Sequence, residues 1–227
     1  MKINAQWHNA HKMPKNPTKD EKIAWYFEHD TNCSCREMPE WVRLEIENYK
    51  KNEEPVILLP HDPNWTKKFE KEKKLIEGII GKYITGGINH VGSTAIPGLS
   101  AKPIVDIMVG IDSLEKASPA VKLLEKINYS YFPYKRRYMY WFRKPALPNK
   151  REFHLNLIPT VNPEFKAKIA FRDYLLSHPE EVKRYEDLKV DLAKKFENDR
   201  EAYTEAKTEF VKEIVTKALG PAFHFET

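Results

Sequence analysis

Cysteine is nearly missing from this chain: Cys33 and Cys35 are its only two, in 227 residues. A single Cys-x-Cys pair is no disulfide framework, and in a reducing compartment such thiols stay free or bind metal. Also missing is any apolar run near the roughly 20 residues of a membrane-crossing helix. The first residues, MKINAQWHNAHK, lack the apolar stretch of a secretory signal, so the expected location is the cytoplasm, with no membrane partner. Internal repeats and low-complexity tracts are absent too. What is there is a globular composition, 41% hydrophobic, 12% aromatic and 31% charged, which excludes a disordered chain. The length suits one large domain, or one ordinary domain with an appendage, and can bury a substantial core.

The net charge of +5 is unevenly spread. Residues 1–58 carry 9 Lys+Arg against 10 Asp+Glu, and residues 164–227 carry 12 against 14. The middle, 59–163, carries 17 against 9, with a dense run in Lys135, Arg136, Arg137, Arg143, Lys144, Lys150 and Arg151. An anionic ligand belongs in that third of the chain if it belongs anywhere. A basic solvated surface would give the same count.

Prolines 14, 17, 39, 55, 60 and 63 punctuate the start of the chain. Between them, Asp20–His29 has Ile23, Tyr26 and Phe27 at helical spacing, and Trp41–Lys50 reads as a second short helix. Residues 1–54 are therefore expected to be a small module without a large core, and 55–227 the main domain. In the latter, VILLP at 56–60 predicts a short buried strand, and 64–80 a helix. Gly86-Gly87 predicts a turn, and INHVGS a strand ending in a small-residue corner. PIVDIMV at 103–109 predicts a second buried strand. A helix capped by Asp112 or Ser113 follows, then strands at 129–134, 138–143 and 152–158.

The end of the chain predicts three helices, at about 163–177, 180–197 and 199–218. Each stripe carries one cation. Arg172 lies among Phe165, Ile169 and Leu176, Lys189 among Tyr185, Leu188, Leu192 and Phe196, and Lys207 among Tyr203, Phe210 and Ile214. A cation on a core-facing stripe is costly unless it snorkels or meets an anion.

The segment with most chemical content is HVGSTAIPGLSAKPIVDIMV at 90–109. Gly92-Ser93 could bring backbone N–H groups close to a phosphate. Asp106 interrupts an apolar strand and needs a partner, a metal ion or a cation such as Lys102. The plainer alternative is a turn at Gly92-Ser93 tied down by Asp106.

These residues carry a resemblance. Residues 56–219 resemble the GrpB family, a branch of the nucleotidyltransferase superfamily typified by DNA polymerase beta. The matching features are DPNW at 62–65, the 90–109 motif, Arg136-Arg137, HLN at 154–156, FRDYL at 171–175, and Tyr185, Lys189, Tyr203 and Lys207. The N-terminal segment is similar to a short module that accompanies some GrpB-like domains.

The resemblance implies an α+β nucleotidyltransferase fold, with a central mixed sheet and a C-terminal helical segment. It also implies a nucleotide held at the Gly-Ser corner, and carboxylates at alternate strand positions that hold paired Mg2+. This chain departs from that pattern. Met108 stands at the second carboxylate position, and His154 and Asn156 stand on the third strand. A reduced metal site built on Asp106, His154 and Asn156 is the expectation, with His154 as acid or base. Gly92 and Ser93 are expected to cradle phosphates that Lys102, Arg137, Arg172, Lys189 and Lys207 neutralise.

The leading expectation is thus a nucleotide- or phosphoryl-ligand transferase. The rival is a non-catalytic sensor or adaptor that binds a nucleotide or coenzyme, and a weaker one is RNA binding through the basic, aromatic run 131–151. Some GrpB-like domains are fused to dephospho-CoA kinase, which hints at coenzyme A.

The N-terminal segment has a second candidate site. His8-x-x-His11 precedes a helix ending in His29, with Cys33 and Cys35 beyond. Two sulfurs and two imidazoles suit a structural tetrahedral Zn2+. The expected ligands are Cys33, Cys35, His29 and one of the two early histidines, with His11 preferred as the nearer to the helix. A free Cys-x-Cys with unrelated histidines is the competing reading.

Overall fold

The computed structural model describes residues 4–10, 12–13, 15–17, 19–33, 35–51, 55–132, 138–144 and 152–223. The chain forms two compact units, one comprising Met1–Glu53 with Phe132–Arg137, the other Glu54–Tyr131 with Tyr138–Thr227.

The first unit contains helices α1 (Ala5–Ala10), α2 (Lys19–Asn32) and α3 (Glu40–Lys51). The sequence predicts α2 and α3 from their apolar spacing. It misses α1, whose six residues have no such period. Among the described side chains of this unit, the buried apolar ones are Ile23, Cys33 and Val42, with His29 buried beside them.

The second unit is built on a five-stranded mixed sheet. Its strands are β1 (Ile84–Val91), β2 (Val105–Ile111), β3 (Ser130–Tyr131), β4 (Tyr140–Lys144) and β5 (Phe153–Pro159). They lie in the order β1-β2-β5-β4-β3, and β2–β5 is the parallel pair. Helices α4 (Asn64–Ile80) and α5 (Leu114–Glu125) cover one face. Trp65, Phe69, Ile76 and Ile80 of α4 pack there on Ile107, Val109, Leu155, Leu157 and Phe142. Ser113 caps α5, its side chain accepting from the Lys116 N–H. Glu72 of α4 and Lys144 of β4 form a 2.7 Å ion pair at the edge of this core.

Helices α6 (Pro163–Ser177), α7 (Pro179–Lys195), α8 (Arg200–Glu205) and α9 (Thr208–Leu219) complete the unit. Ala167, Phe171, Leu175, Tyr185, Phe210 and Ile214 form the common core of α6, α7 and α9, which also takes in Ile96 and Leu99. Phe165 and Ile169 turn instead to the second face of the sheet, against Val91, Met108 and Ile158.

Four local expectations are corrected. VILLP forms no strand. Ile57 and Leu59 are exposed, and Leu59 makes one isolated bridge to Ala101, because Pro55 and Pro60 leave few donors for a ladder. Gly86-Gly87 is no turn but an irregularity inside β1, between Ile84 and Ile88. A Cβ at Gly86 would lie 2.8 Å from the Phe165 ring, so the bare backbone there lets α6 approach the sheet. The core face of α6 is Ala167, Phe171 and Leu175, whereas Leu176 is exposed. Finally, the predicted helix 199–218 is broken at Ala206–Lys207, which puts Lys207 at the N-cap of α9.

Candidate functional site

Parallel pairing of β2 with β5 sets Asp106 opposite His154 and Met108 opposite Asn156. Antiparallel pairing of β4 with β5 sets Arg143 opposite His154 and Trp141 opposite Asn156. Side chains alternate along a strand, so Asp106, His154, Asn156, Trp141 and Arg143 share the face away from α4 and α5. His154 Nδ1 lies 3.1 Å from Asp106 Oδ1. A carboxylate accepts, so this nitrogen carries the proton and Nε2 keeps its lone pair. That Nε2 is buried and has no hydrogen-bond partner. Trp141 lies 5.1 Å from the imidazole, ring to ring, and the Arg143 guanidinium lies 4.8 Å from the Trp141 ring.

The electrostatics keep this pair in the form Asp106⁻–His154⁰. Burial opposes the Asp106 charge, but the His154 hydrogen bond and the charges of His154, Lys102 and Lys168 outweigh it and hold the carboxyl below its usual range. Burial lowers the His154 pKa; Asp106 pulls it back, while Arg143 and Lys102 push the same way as burial. At neutral pH the imidazole is a neutral base facing inward.

Gly92 follows β1 with φ 73° and ψ −175°, a backbone conformation essentially confined to glycine. A Cβ there would sit 2.5 Å from Asp106 Oδ2, so the corner brings bare backbone against the carboxylate. Ser93 opens a short 3-10 turn, Ser93–Ala95, and its side chain interacts with the Tyr185 hydroxyl. Burial pushes that phenol up to about 12.

Lysines gather beside Asp106. Lys102 and Lys207 lie over the same Tyr203 ring, at 5.3 and 4.2 Å from its centroid. Burial, with the charges of Lys102 and Lys189, lowers the Lys207 pKa to about 7; Asp106 opposes the shift, and Lys168 adds to it. Lys189 is fully buried and, by desolvation, lowered to about 8. Its Nζ donates to the Ser100 carbonyl, while Glu186 accepts from the Ser100 N–H at 3.0 Å. Lys189 and Glu186 thereby clamp both backbone groups of Ser100, two residues before Lys102.

Arg172 has its guanidinium on the His90 carbonyl, at 2.9 Å, and on Asp173. What the structure shows for it is a brace between α6 and β1. Asn156 is buried beside Met108 in the middle of the sheet. Thus Gly92, Ser93, Lys102, Asp106, His154, Lys189 and Lys207 come together or support one another. Arg137 lies outside the described residues, as does most of the run proposed to bind RNA. Sequence reasoning missed Lys168, Trp141 and Glu186. The i, i+4 spacing of Lys168 and Arg172 would have pointed to the first.

The residues present do not fit paired Mg2+ ions. Asp106 is the only carboxylate in the five strands, all of whose residues are described, and one of its oxygens is taken by His154. Fully buried Met108 fills the place of a second acid. Among the described residues, the cluster of side chains that could hold a metal lies in the first unit. There His8, His29, Cys33 and Cys35 bring their ligand atoms within 4.8 Å of one another; His11 lies outside the described residues.

The fold and site define an α+β protein with a mixed sheet, an Asp–His pair on the sheet face away from α4 and α5, and a lysine cluster beside it. Residues 55–217 match the family profile described as GrpB protein. The chain belongs to the GrpB family. It is 38% identical to the glutamate-rich protein GrpB of Alkalihalophilus pseudofirmus, over 73% of this chain and 97% of that protein. A crystal structure of the conserved protein GrpB from Enterococcus faecalis superposes with TM-score 0.66 at 30% identity, covering 74% of this chain and 100% of that one. A shorter stretch is 33% identical to a dephospho-CoA kinase of Mycolicibacterium paratuberculosis, over 33% of this chain and 19% of the kinase. Among the described residues no helix is long and apolar enough to cross a membrane.

Proposed function

We propose that the second unit binds a phosphorylated small molecule of nucleotide or coenzyme type beside Asp106 and His154. One observation carries this reading. Lys102, Lys168 and Lys189 come from three separate segments and each disfavours the charge of Lys207, while Lys102 and Lys168 also act on the Asp106 carboxylate. Like charges brought together in partly buried positions are stabilised by an anion that meets them. The tight backbone at Gly92 and the hydroxyl of Ser93 supply the uncharged side of such a cradle.

The chemistry open to the chain's own groups is proton transfer. His154 Nε2 has a lone pair and is positioned through Nδ1 by Asp106, so it can take a proton from a hydroxyl nucleophile. Asp106 stabilises the imidazolium that forms. The lysines stabilise negative charge on a phosphoryl group. The reading without chemistry, a sensor or adaptor, is favoured by Met108, which removes the second acid of a metal-dependent transferase.

Calorimetric titration with ATP, coenzyme A and pyrophosphate, each with and without Mg2+, tests the proposal. Saturable binding by at least one of them is expected, with Lys207→Ala at least tenfold weaker, as a charge-assisted contact is worth about 1.5–3 kcal/mol. No binding by any of the three, or equal binding by a folded Lys207→Ala variant, overturns it.

A further inference from the structure

We propose that the N-terminal unit holds one structural Zn2+ ion, bound tetrahedrally by His8, His29, Cys33 and Cys35. This site is independent of the ligand reading above and draws on the first unit alone. Its four donors come from three places in the chain. His8 lies on α1, His29 in the last turn of α2, and Cys33 one step past the end of α2. The Cys33 N–H still donates to the His29 carbonyl at 2.7 Å, so the two residues keep the i, i+4 relation that sets them on one face. Cys35 then doubles back: His8 Nε2 and His29 Nε2 both lie 3.2 Å from its Sγ.

The dimensions match the metal. Bonds of about 2.0–2.1 Å to nitrogen and 2.3 Å to sulfur put the corners of a zinc tetrahedron roughly 3.3–3.8 Å apart. The two His–Cys35 separations, both 3.2 Å, lie just under that range, and all four donor atoms lie within 4.8 Å of one another. The surroundings match as well. The Asn4 N–H donates to Cys33 Sγ at 3.3 Å, as backbone amides do to metal-bound thiolates. Trp25, one turn before His29, stacks on its imidazole at 4.8 Å and 14°. That contact fixes the ring plane that a metal–nitrogen bond requires. Both cysteines are free thiols.

The site is structural because four protein donors leave no position for water. A metal held by these four side chains also ties α1 to the end of α2 and supplies ordering energy of its own. On binding, the two thiols release their protons to solvent, and two thiolates with two neutral imidazoles leave the site uncharged overall.

The test uses the full-length untagged chain, expressed with zinc in the medium and purified without chelator. Elemental analysis is expected to find about one zinc per chain. Because Cys33 and Cys35 are the only cysteines, titration with an organomercurial should release that zinc as two thiols are modified, with no substitution needed. Exchange for Co2+ should give the intense visible bands of a tetrahedral site together with a thiolate charge-transfer band. His8→Ala should weaken metal binding at least tenfold, and His11→Ala should leave one zinc in place. Three results overturn the proposal: no stoichiometric zinc, thiols that react freely with no zinc released, or zinc lost with His11→Ala and kept with His8→Ala.

Discussion

Asp106 and His154 face each other across the parallel β2–β5 pair, and the imidazole donates to the carboxylate at 3.1 Å. The bare backbone of Gly92 closes on the Asp106 carboxylate, and the charges of Lys102 and Lys168 act on it. The consequences of the pair separate binding from chemistry.

Asp106→Asn keeps the shape of the side chain and removes its charge. A negative charge beside the lysines opposes an incoming anion, so affinity for ATP or coenzyme A should hold or rise. Any transfer activity should fall by about 100-fold or more, because the imidazole loses the partner that stabilises its cationic form. Calorimetry and a transfer assay on the same preparation check this. Weaker binding at an unchanged melting temperature would mean that the carboxylate itself holds the ligand.

Lys207 titrates in the free protein at about 7, lowered by burial first and then by Lys102 and Lys189. An anion binds the protonated form, so its affinity should fall above that value. Between about pH 7.5 and 9.5, well above the roughly 6 at which a phosphate monoester gains its second charge, the fall should approach tenfold per unit. Stability should move the opposite way. Between about 7 and the ordinary lysine value near 10.4, the unfolded chain holds the proton that the folded chain has lost, so stability rises with pH. Both slopes should flatten in Lys207→Met, as calorimetric titrations and urea melts across this range would show.

Gly92→Ala puts a Cβ 2.5 Å from Asp106 Oδ2 at a φ of 73°. The backbone strain alone should cost about 1–3 kcal/mol. The carboxylate must also shift, which loosens its bond to His154. A lowered melting temperature is expected, together with a displaced His154 resonance in an NMR pH titration. A variant as stable as the parent, with His154 unmoved, would show that this corner is not rigid.

Much of the fold was legible because its signals are local. Trp65, Phe69, Ile76 and Ile80 repeat at helical spacing, and α4 runs over 64–80 as that repeat predicts. PIVDIMV reads as buried, and β2 is buried apart from Asp106. The α+β class with a mixed sheet followed from the resemblance. Where local signals mislead, something distant in the chain decides. VILLP is apolar enough for a strand, yet its described backbone links to the rest of the unit are one isolated bridge, Leu59 to Ala101, and a bond from the Val56 N–H to the Glu197 carbonyl. Gly86-Gly87 has turn chemistry, yet the approach of Phe165 from α6 needs a bare strand at that point.

The candidate sites divide in the same way. From the sequence alone come the identities that matter: one acid in an apolar strand, a His two residues before an Asn, a cation on each of three helical stripes, and histidines near a Cys-x-Cys. Residue type and spacing carry that information because charge, lone pairs and alternation are properties of the local chain. Only the tertiary structure decides which of these groups meet. Strand order sets His154 against Asp106, and a break before α9 turns Lys207 onto Tyr203 with Lys102. Arg172 is spent on the His90 carbonyl, and α1 presents His8 to Cys35. From His8–Cys35 to Lys102–Lys207, those pairings join residues 27 to 105 positions apart, at distances set by packing between elements, which no local pattern encodes.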